Sequence, residues 1–449
     1  MTPAQPTLTA TSNAIDQGQP SAPDRWRVSP LRYLIGTIES GVSVNASDVP
    51  APPGEVAVLK TSSVYTGDFD LSQTKTVIED DLHRVACPVT ADRLIVSRMN
   101  TPALVGMAGY SANDAPNVYL PDRLWQVSFV GIDPQFVHRW TQTSVYRDQV
   151  TVVTAGTSSS MHNLSQDDFK AFVLDVPPAQ EQLSIVRFLD AETTKIDVLI
   201  EKQERLIETL AERRQAVISH AVTKGIDPNA PARDSGVEWL GSISAKWSVL
   251  SLNRLLRSPL KYGANEAAVH DDPEWPRYIR ITDFGSDGVL RADTFRSLPP
   301  EIAREYPLEG GDILLARSGA TAGKSFLVPD DVQPSCYAGY LIRVALNSNR
   351  AVPHFLSYFL ASSPYAKWRA LSVIQATIEN ISAEKYARMV VPVPPIEEQQ
   401  EIIRHLDVLT QRIDALSAKA REMIDVLKER RQALISAAVT GKIDVRGLS

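Results

Sequence analysis

Val176–Asp227 reads VPPAQEQLSIVRFLDAETTKIDVLIEKQERLIETLAERRQAVISHAVTKGID, and Val393–Asp444 reads VPPIEEQQEIIRHLDVLTQRIDALSAKAREMIDVLKERRQALISAAVTGKID. The two stretches align without a gap at an offset of 217, with 28 of 52 positions identical. Each opens on a proline pair, Pro177-Pro178 or Pro394-Pro395, which suits a helix start because proline is tolerated in the first turn. Neither proline nor glycine then interrupts the chain until Gly225 or Gly441. Apolar residues recur on a heptad: Leu189, Ile196, Leu210 and Val217 in the first copy, Leu406, Ile413, Leu427 and Leu434 in the second. So narrow a stripe predicts a coiled-coil seam rather than the face of a helix buried in a large core. At 1.5 Å per residue each helix should run roughly 60–65 Å. Two nearly identical seams in one chain most simply bury each other, which predicts antiparallel pairing and an internal pseudo-two-fold repeat.

Working outward, the segments before the helices pair more faintly. Trp26-Arg27-Val28 with Leu31 matches Trp247-Ser248-Val249 with Leu252. The β-prone run Asp92–Arg98 matches Gly311–Arg317, each ending in arginine before an Ala-, Gly- and Thr-rich loop. The expected organisation is a flexible leader (1–25), a first mixed α/β domain (26–175), a first helix (176–225), a linker (226–246), a second mixed domain (247–392), a second helix (393–441) and a tail (442–449). The expected fold class is therefore α+β, two mixed α/β domains joined by a long antiparallel two-helix coiled coil.

Composition limits the function. The 449 residues suffice for two or three domains, and no apolar run approaches the roughly 18–20 residues of a membrane span. Cys87 and Cys336 lie in unrelated contexts, so neither a disulfide framework nor a zinc site is expected, and a cytoplasmic location is. Catalytic motifs fail on inspection. Gly319-Ala320-Thr321-Ala322-Gly323-Lys324-Ser325 is one residue too short between its glycines for a phosphate-binding loop, and Val328-Pro329 follows where a helix is needed. Asp175-Val176-Pro177-Pro178 lacks the direct Asp/Asn-Pro-Pro-aromatic order of an adenine methyltransferase. The chain is expected to be non-catalytic, with no metal site and no cofactor of its own.

The repeated phrases are similar to a known family. Val-Pro-Pro-x-x-Glu-Gln, then Leu-Asp, Lys/Arg-Ile-Asp, Glu-Arg-Arg-Gln-Ala and Ala-Val-Thr, together with Asp234–Gly241 ahead of Trp247, resemble the specificity subunit of type I restriction-modification systems. The resemblance implies two target recognition domains, each reading half of a bipartite site in double-stranded DNA, held apart by the helix pair. It implies two adenine-methyltransferase subunits as partners, and two restriction/translocase subunits in the nuclease form. S-adenosylmethionine and ATP would then be carried by those partners. Two rival readings are a specificity partner of a fused methyltransferase-nuclease, and a coiled-coil adaptor that recognises protein rather than DNA.

Base discrimination needs Arg, Lys, Asn or Gln presented from loops. The candidates are Arg98 and Asn100 after the first matched strand, Arg317 and Lys324 after the second, and Lys60 and Arg280 at another matched strand-to-loop position. Charge argues against an independent DNA binder. The chain carries a net charge of −7, with 11 basic and 16 acidic residues in Trp26–Asp175 and 16 and 15 in Trp247–Pro392. DNA binding therefore requires basic residues gathered on one face, or phosphate contacts supplied by partners.

Overall fold

The computed structural model describes residues 26–445 apart from residue 53 and residues 155–160, 286–287 and 374–379. The expected leader and the last residues of the expected tail lie outside the described residues. The chain forms two compact units, one running to Lys202 and resuming at Met423, the other spanning Gln203–Glu422. Each is mixed α+β. Both long segments are single helices, Ala179–Lys224 and Ile396–Val439, so each starts three residues after the position expected from its first Val-Pro-Pro. Val176 and Val393 instead end strands, Val173–Val176 and Val390–Val393. Pro178 then offers its carbonyl to the Glu181 N–H at 2.8 Å, so the proline pair ends the strand and begins the helix.

In the first unit Arg27–Pro30 pairs antiparallel with Val173–Val176, which buries Trp26 beside Phe136. A four-stranded antiparallel sheet follows in the order Ile35–Ser40, Leu124–Phe129, Arg93–Ser97, Ala108–Ser111. A second sheet contains one parallel pair, Ala57–Leu59 with Ala115–Tyr119. Helices Pro134–Thr141, Ser144–Thr154 and Gln166–Ala171 complete the domain.

The second unit repeats this plan. Ser248–Ser251 pairs with Val390–Val393, and Trp247 is buried beside Phe355. Lys261–Tyr262, Leu341–Val344, Ile313–Ala316 and Ser325–Leu327 form the four-stranded antiparallel sheet, and Arg277–Ile279 pairs parallel with Ser335–Tyr337. Pro353–Leu360, Ser363–Val373 and Ala383–Arg388 are the matching helices.

Within each unit the ends of the two long helices run antiparallel. In the first, Ile185, Val186 and Leu189 share a core with Ile435, Ala438 and Val439, and Asp197 bridges Arg431 at 3.2 Å. In the second, Ile218, Ala221 and Val222 share a core with Ile402 and Leu406, and Arg214 bridges Asp414 at 3.0 Å. These residues are related by the same offset of 217, so each contact recurs with the helices exchanged. Of the eight seam residues, Leu189, Ile196, Leu210, Leu406, Ile413 and Leu427 are buried. Val217 and Leu434 are half-buried and pack against the second and first cores respectively.

Two segments differ from expectation. The 226–246 stretch is more than a linker: Ala232–Asp234 and Ser242–Ser244 form a hairpin, and Leu240 and Ile243 join the second core. In the tail, Val445 is buried in the first core with Ile443 against it. In both cases two apolar residues within a mostly polar run supply this burial, Leu240 with Ile243 and Ile443 with Val445, a density too low to be read from periodicity.

Candidate nucleic-acid interface

The residues that could face a ligand follow from this shared frame. Lys60 ends the strand Ala57–Leu59 in an extended conformation and leads into a 3-10 turn, Thr61–Val64. Arg280 does the same after Arg277–Ile279, leading into Ile281–Asp283. Beside each turn lies the loop ahead of a sheet strand. The Arg98 N–H donates to the Arg123 carbonyl at 3.0 Å, and the Arg317 N–H donates to the Tyr340 carbonyl at 3.0 Å. Leu164 and Ile381 close the same arrangement by donating N–H to the Arg98 and Arg317 carbonyls, both at 2.8 Å.

Turn and loop enclose a cleft in each unit. In the first it measures about 500 Å³ and is lined by Lys60, Ser62, Tyr65, Lys75 and Arg123, with Asp48 at its edge. In the second it measures about 420 Å³ and is lined by Arg280, Thr282, Asn265, Ser318 and Tyr340. The backbone positions correspond while the side chains differ. Lys60 and Lys75 both reach Asp48, at 2.9 and 3.5 Å, and the hydrogen bond and charge of Lys60, then those of Lys75, hold the Asp48 carboxyl below its usual range. Arg123 is exposed and forms no side-chain ion pair among the described residues. Two lysines therefore share one exposed carboxylate, a pairing that solvent screens and that contributes little to stability.

The six candidate residues fall into distinct environments. Lys60 and Arg280 line the clefts. Arg280, however, spends its guanidinium on the buried Asp283, at 2.6 Å, and on the Thr294 carbonyl at 2.9 Å. Arg98 donates from Nε to the Asp122 carbonyl at 2.6 Å and so shapes the loop that carries Arg123. Asn100 is buried; it donates to Tyr65 Oη at 3.0 Å and to Ser97 Oγ at 3.2 Å, and accepts the Thr101 N–H at 2.9 Å. Its amide is committed to these contacts and is not free to meet a base. Arg317 lies over the Tyr262 ring, 4.8 Å from its centroid. Lys324 is exposed and lines a separate groove with Gly323 and Ser325.

Sequence reasoning missed Lys75, Arg123, Asn265 and Tyr340. A signal existed for two of them, because Arg123 and Tyr340 stand 217 apart, the helix offset, each directly before an apolar strand.

Among the described residues no group of His, Cys, Asp and Glu could hold a metal ion, and no helix is long and apolar enough to cross a membrane. Residues 277–424 match the family model described as the type I restriction modification DNA specificity domain. The specificity subunit of the type I restriction enzyme StySPI from Salmonella potsdam is 21% identical over 94% of this chain and 90% of its own length. That of EcoKI from Escherichia coli K12 is 22% identical over the same shares. Residues 277–424 thus match the specificity domain, and nearly the whole chain is similar to type I specificity subunits. Its fold agrees with two solved structures, each 16% identical. One is a chain from a study of complex assembly and conformational transition in a type I restriction-modification system, with a TM-score of 0.72 over 95% of this chain and 100% of that one. The other is the HsdS subunit of Thermoanaerobacter tengcongensis, with a TM-score of 0.52 over 94% and 98%. The domain match and these relatives together support a DNA-binding, non-catalytic component of a restriction-modification complex.

Proposed function

We propose that each unit of this specificity subunit reads one half of a bipartite DNA site through its cleft, while the paired helices set the unread spacer. The observation that carries this reading is the pair of clefts: equivalent backbone frames, Lys60–Ser62 with Pro121–Arg123 and Arg280–Thr282 with Ala338–Tyr340, present different side chains. A common frame places both clefts against a common duplex geometry, and divergent side chains select different bases. Lys60, Lys75 and Arg123 offer charged donors to guanine edges or phosphates. Asn265, Thr282, Ser318 and Tyr340 offer neutral donors and acceptors, backed by Arg280 and Arg317. The two half-sites are therefore expected to differ.

Partner docking follows from the helix surfaces. Leu199 and Leu206, seven residues apart, are exposed on the first helix, and their counterparts at the offset of 217, Leu416 and Met423, are exposed on the second. Apolar residues at heptad spacing outside a seam fit a partner helix. Two equivalent stripes fit two copies of one partner, the adenine-methyltransferase subunit, with restriction/translocase subunits joining through the complex. S-adenosylmethionine and ATP belong to those partners in this reading. Leu199→Glu with Leu206→Glu should leave the chain folded yet halve the methyltransferase retained on co-purification, and the same change at Leu416 and Met423 should remove the other copy. Unchanged stoichiometry in both would place docking elsewhere.

The deciding experiment is methylation mapping, by single-molecule sequencing of DNA from cells co-expressing the chain with its methyltransferase. The expected result is an asymmetric two-part motif with a fixed gap, methylated on both strands. A contiguous motif would break the link between two clefts and two half-sites.

A further inference from the structure

The Gly319–Ser325 segment does not cradle phosphate through its backbone. The Gly323 N–H is donated to the Ala316 carbonyl and the Lys324 N–H to the Thr321 carbonyl, and a strand, Ser325–Leu327, follows. Its last three residues instead line an open groove of about 840 Å³ in the unit Gln203–Glu422. Four cationic residues line that groove, Arg214, Lys324, Lys367 and Arg369, and none of its described lining residues is acidic. Arg214 is bridged to Asp414. Lys324, Lys367 and Arg369 form no side-chain hydrogen bond or ion pair among the described residues. In a chain of net charge −7 such a gathering of unpaired cations is not an average surface. Their mutual repulsion is relieved by an anion, and the volume is that of a small-molecule site.

The first unit keeps the frame of this groove, and Arg431 as the counterpart of Arg214, but none of its three unpaired cations. Gly106 and Gly323 both adopt positive φ, +77° and +83°, and receive equivalent hydrogen bonds, Tyr146 Oη to the Gly106 carbonyl and Tyr365 Oη to the Gly323 carbonyl, each at 2.6 Å. Four residues beyond each tyrosine a side chain packs onto the glycine: Val150 onto Gly106, and the Arg369 stem onto Gly323. At this register Met107 stands where the second unit has Lys324, and Asp148 where it has Lys367. A structural need shared by both units would have kept the same residue types, so the charge serves something only the second unit meets.

We propose that this groove is a phosphate-binding site confined to the second unit, with Lys324, Lys367 and Arg369 neutralising the phosphate oxygens. The phosphate comes from the backbone of the bound duplex or from a free polyphosphate. The first case rests on the DNA-reading role proposed above, and in it the complex anchors more tightly at the half-site of the second unit.

The test uses K324M/K367D/R369V, which carries the residues of the first unit at the matching positions, alongside K324Q/K367Q, in which both altered residues are exposed and packing is untouched. Inorganic tripolyphosphate is titrated calorimetrically into the full-length chain, and duplex carrying the mapped motif is bound to the methyltransferase complex across a salt series. Tripolyphosphate affinity should fall at least about tenfold in both variants. A salt slope shallower by roughly 0.9 for each phosphate no longer neutralised, with the motif unchanged, assigns the groove to the duplex backbone. An unchanged slope with tripolyphosphate binding abolished assigns it to a free phosphate compound. Equal behaviour of wild type and variants in both arms overturns the site. A wild-type complex with no sequence motif would defeat the half-site reading, while the tripolyphosphate arm would still decide this one.

Discussion

His138 shows how a residue buried for packing imposes a pH limit. It lies within the first unit, and its Nε2 bonds to the Gly67 carbonyl at 2.6 Å, which a neutral ring satisfies by donating that N–H. Burial pushes its pKa below the ordinary imidazole value, against the stabilising carbonyl of Gly67; Arg139 pushes further down and Asp68 pulls back. A folded pKa below the unfolded value of about 6.5 means the unfolded chain binds the proton more readily. Stability from this group is therefore complete above about pH 6.5 and declines as pH falls through the window down to the folded pKa. Urea midpoints for wild type should drop between pH 7 and 5.5 more than those of His138→Gln, whose amide keeps a donor for Gly67. Parallel pH dependence in the two proteins would assign the loss to other groups. The two thiols lead to a second expectation. Burial raises Cys87 to about 11 and Cys336 to about 12, so at pH 8 the Cys87 thiolate is depleted roughly a thousandfold from full ionisation. Alkylation of the native chain at pH 8 should be slow at both positions and become fast only on unfolding; rapid native labelling at Cys87 would contradict its burial.

At the scale of elements, the long helices were legible because one periodic signal occurs twice, and the eight seam residues all end buried or half-buried. What the pattern could not show is how the helices hold the domains. Gln182 donates to the Pro177 carbonyl at 2.8 Å and accepts the Asp133 N–H at 2.7 Å, while Gln399 donates to the Pro394 carbonyl at 2.9 Å and accepts the Val352 N–H at 2.8 Å. Each glutamine thus pins the start of its long helix to the start of a domain helix through polar contacts that carry no periodicity. Both are buried, so Gln182→Ala or Gln399→Ala strands a carbonyl and an N–H together, at a cost of about 1–3 kcal/mol for each group left unsatisfied. Chemical denaturation should show both losses at similar size, each larger than the effect of breaking Arg214–Asp414 or Arg431–Asp197. Those bridges are partly exposed and are worth about 0–1 kcal/mol. A glutamine variant no weaker than a bridge variant would mean that solvent satisfies these groups. The clefts were less legible for a related reason. Asn100 and Arg98 carry the right chemistry for base contact, but backbone and hydroxyl groups of the first unit take it up, and that competition is visible only in three dimensions.

For the whole molecule the governing fact is charge. A net charge of −7 opposes a polyanion, and the first domain, 11 basic against 16 acidic residues, is itself acidic. The structure gathers cations locally instead, with Lys60, Lys75 and Arg123 around one cleft and Lys324, Lys367 and Arg369 around one groove. Local gathering permits contact once the duplex is in place, while the overall field neither steers DNA toward the chain nor supplies enough phosphate contacts to hold it. Affinity for non-specific DNA is mostly counterion release, so few contacts mean weak binding and a shallow salt slope. The isolated chain should therefore bind a duplex carrying its motif weakly near physiological salt. The complex with methyltransferase subunits should bind the same duplex several orders of magnitude more tightly and with a steeper slope, the added phosphate contacts coming from the partners. Fluorescence anisotropy across a salt series, with chain and complex on one labelled duplex, measures both quantities. Tight, salt-tolerant, motif-specific binding by the chain alone would show that the two clefts suffice for recognition, and that the partners contribute chemistry rather than affinity.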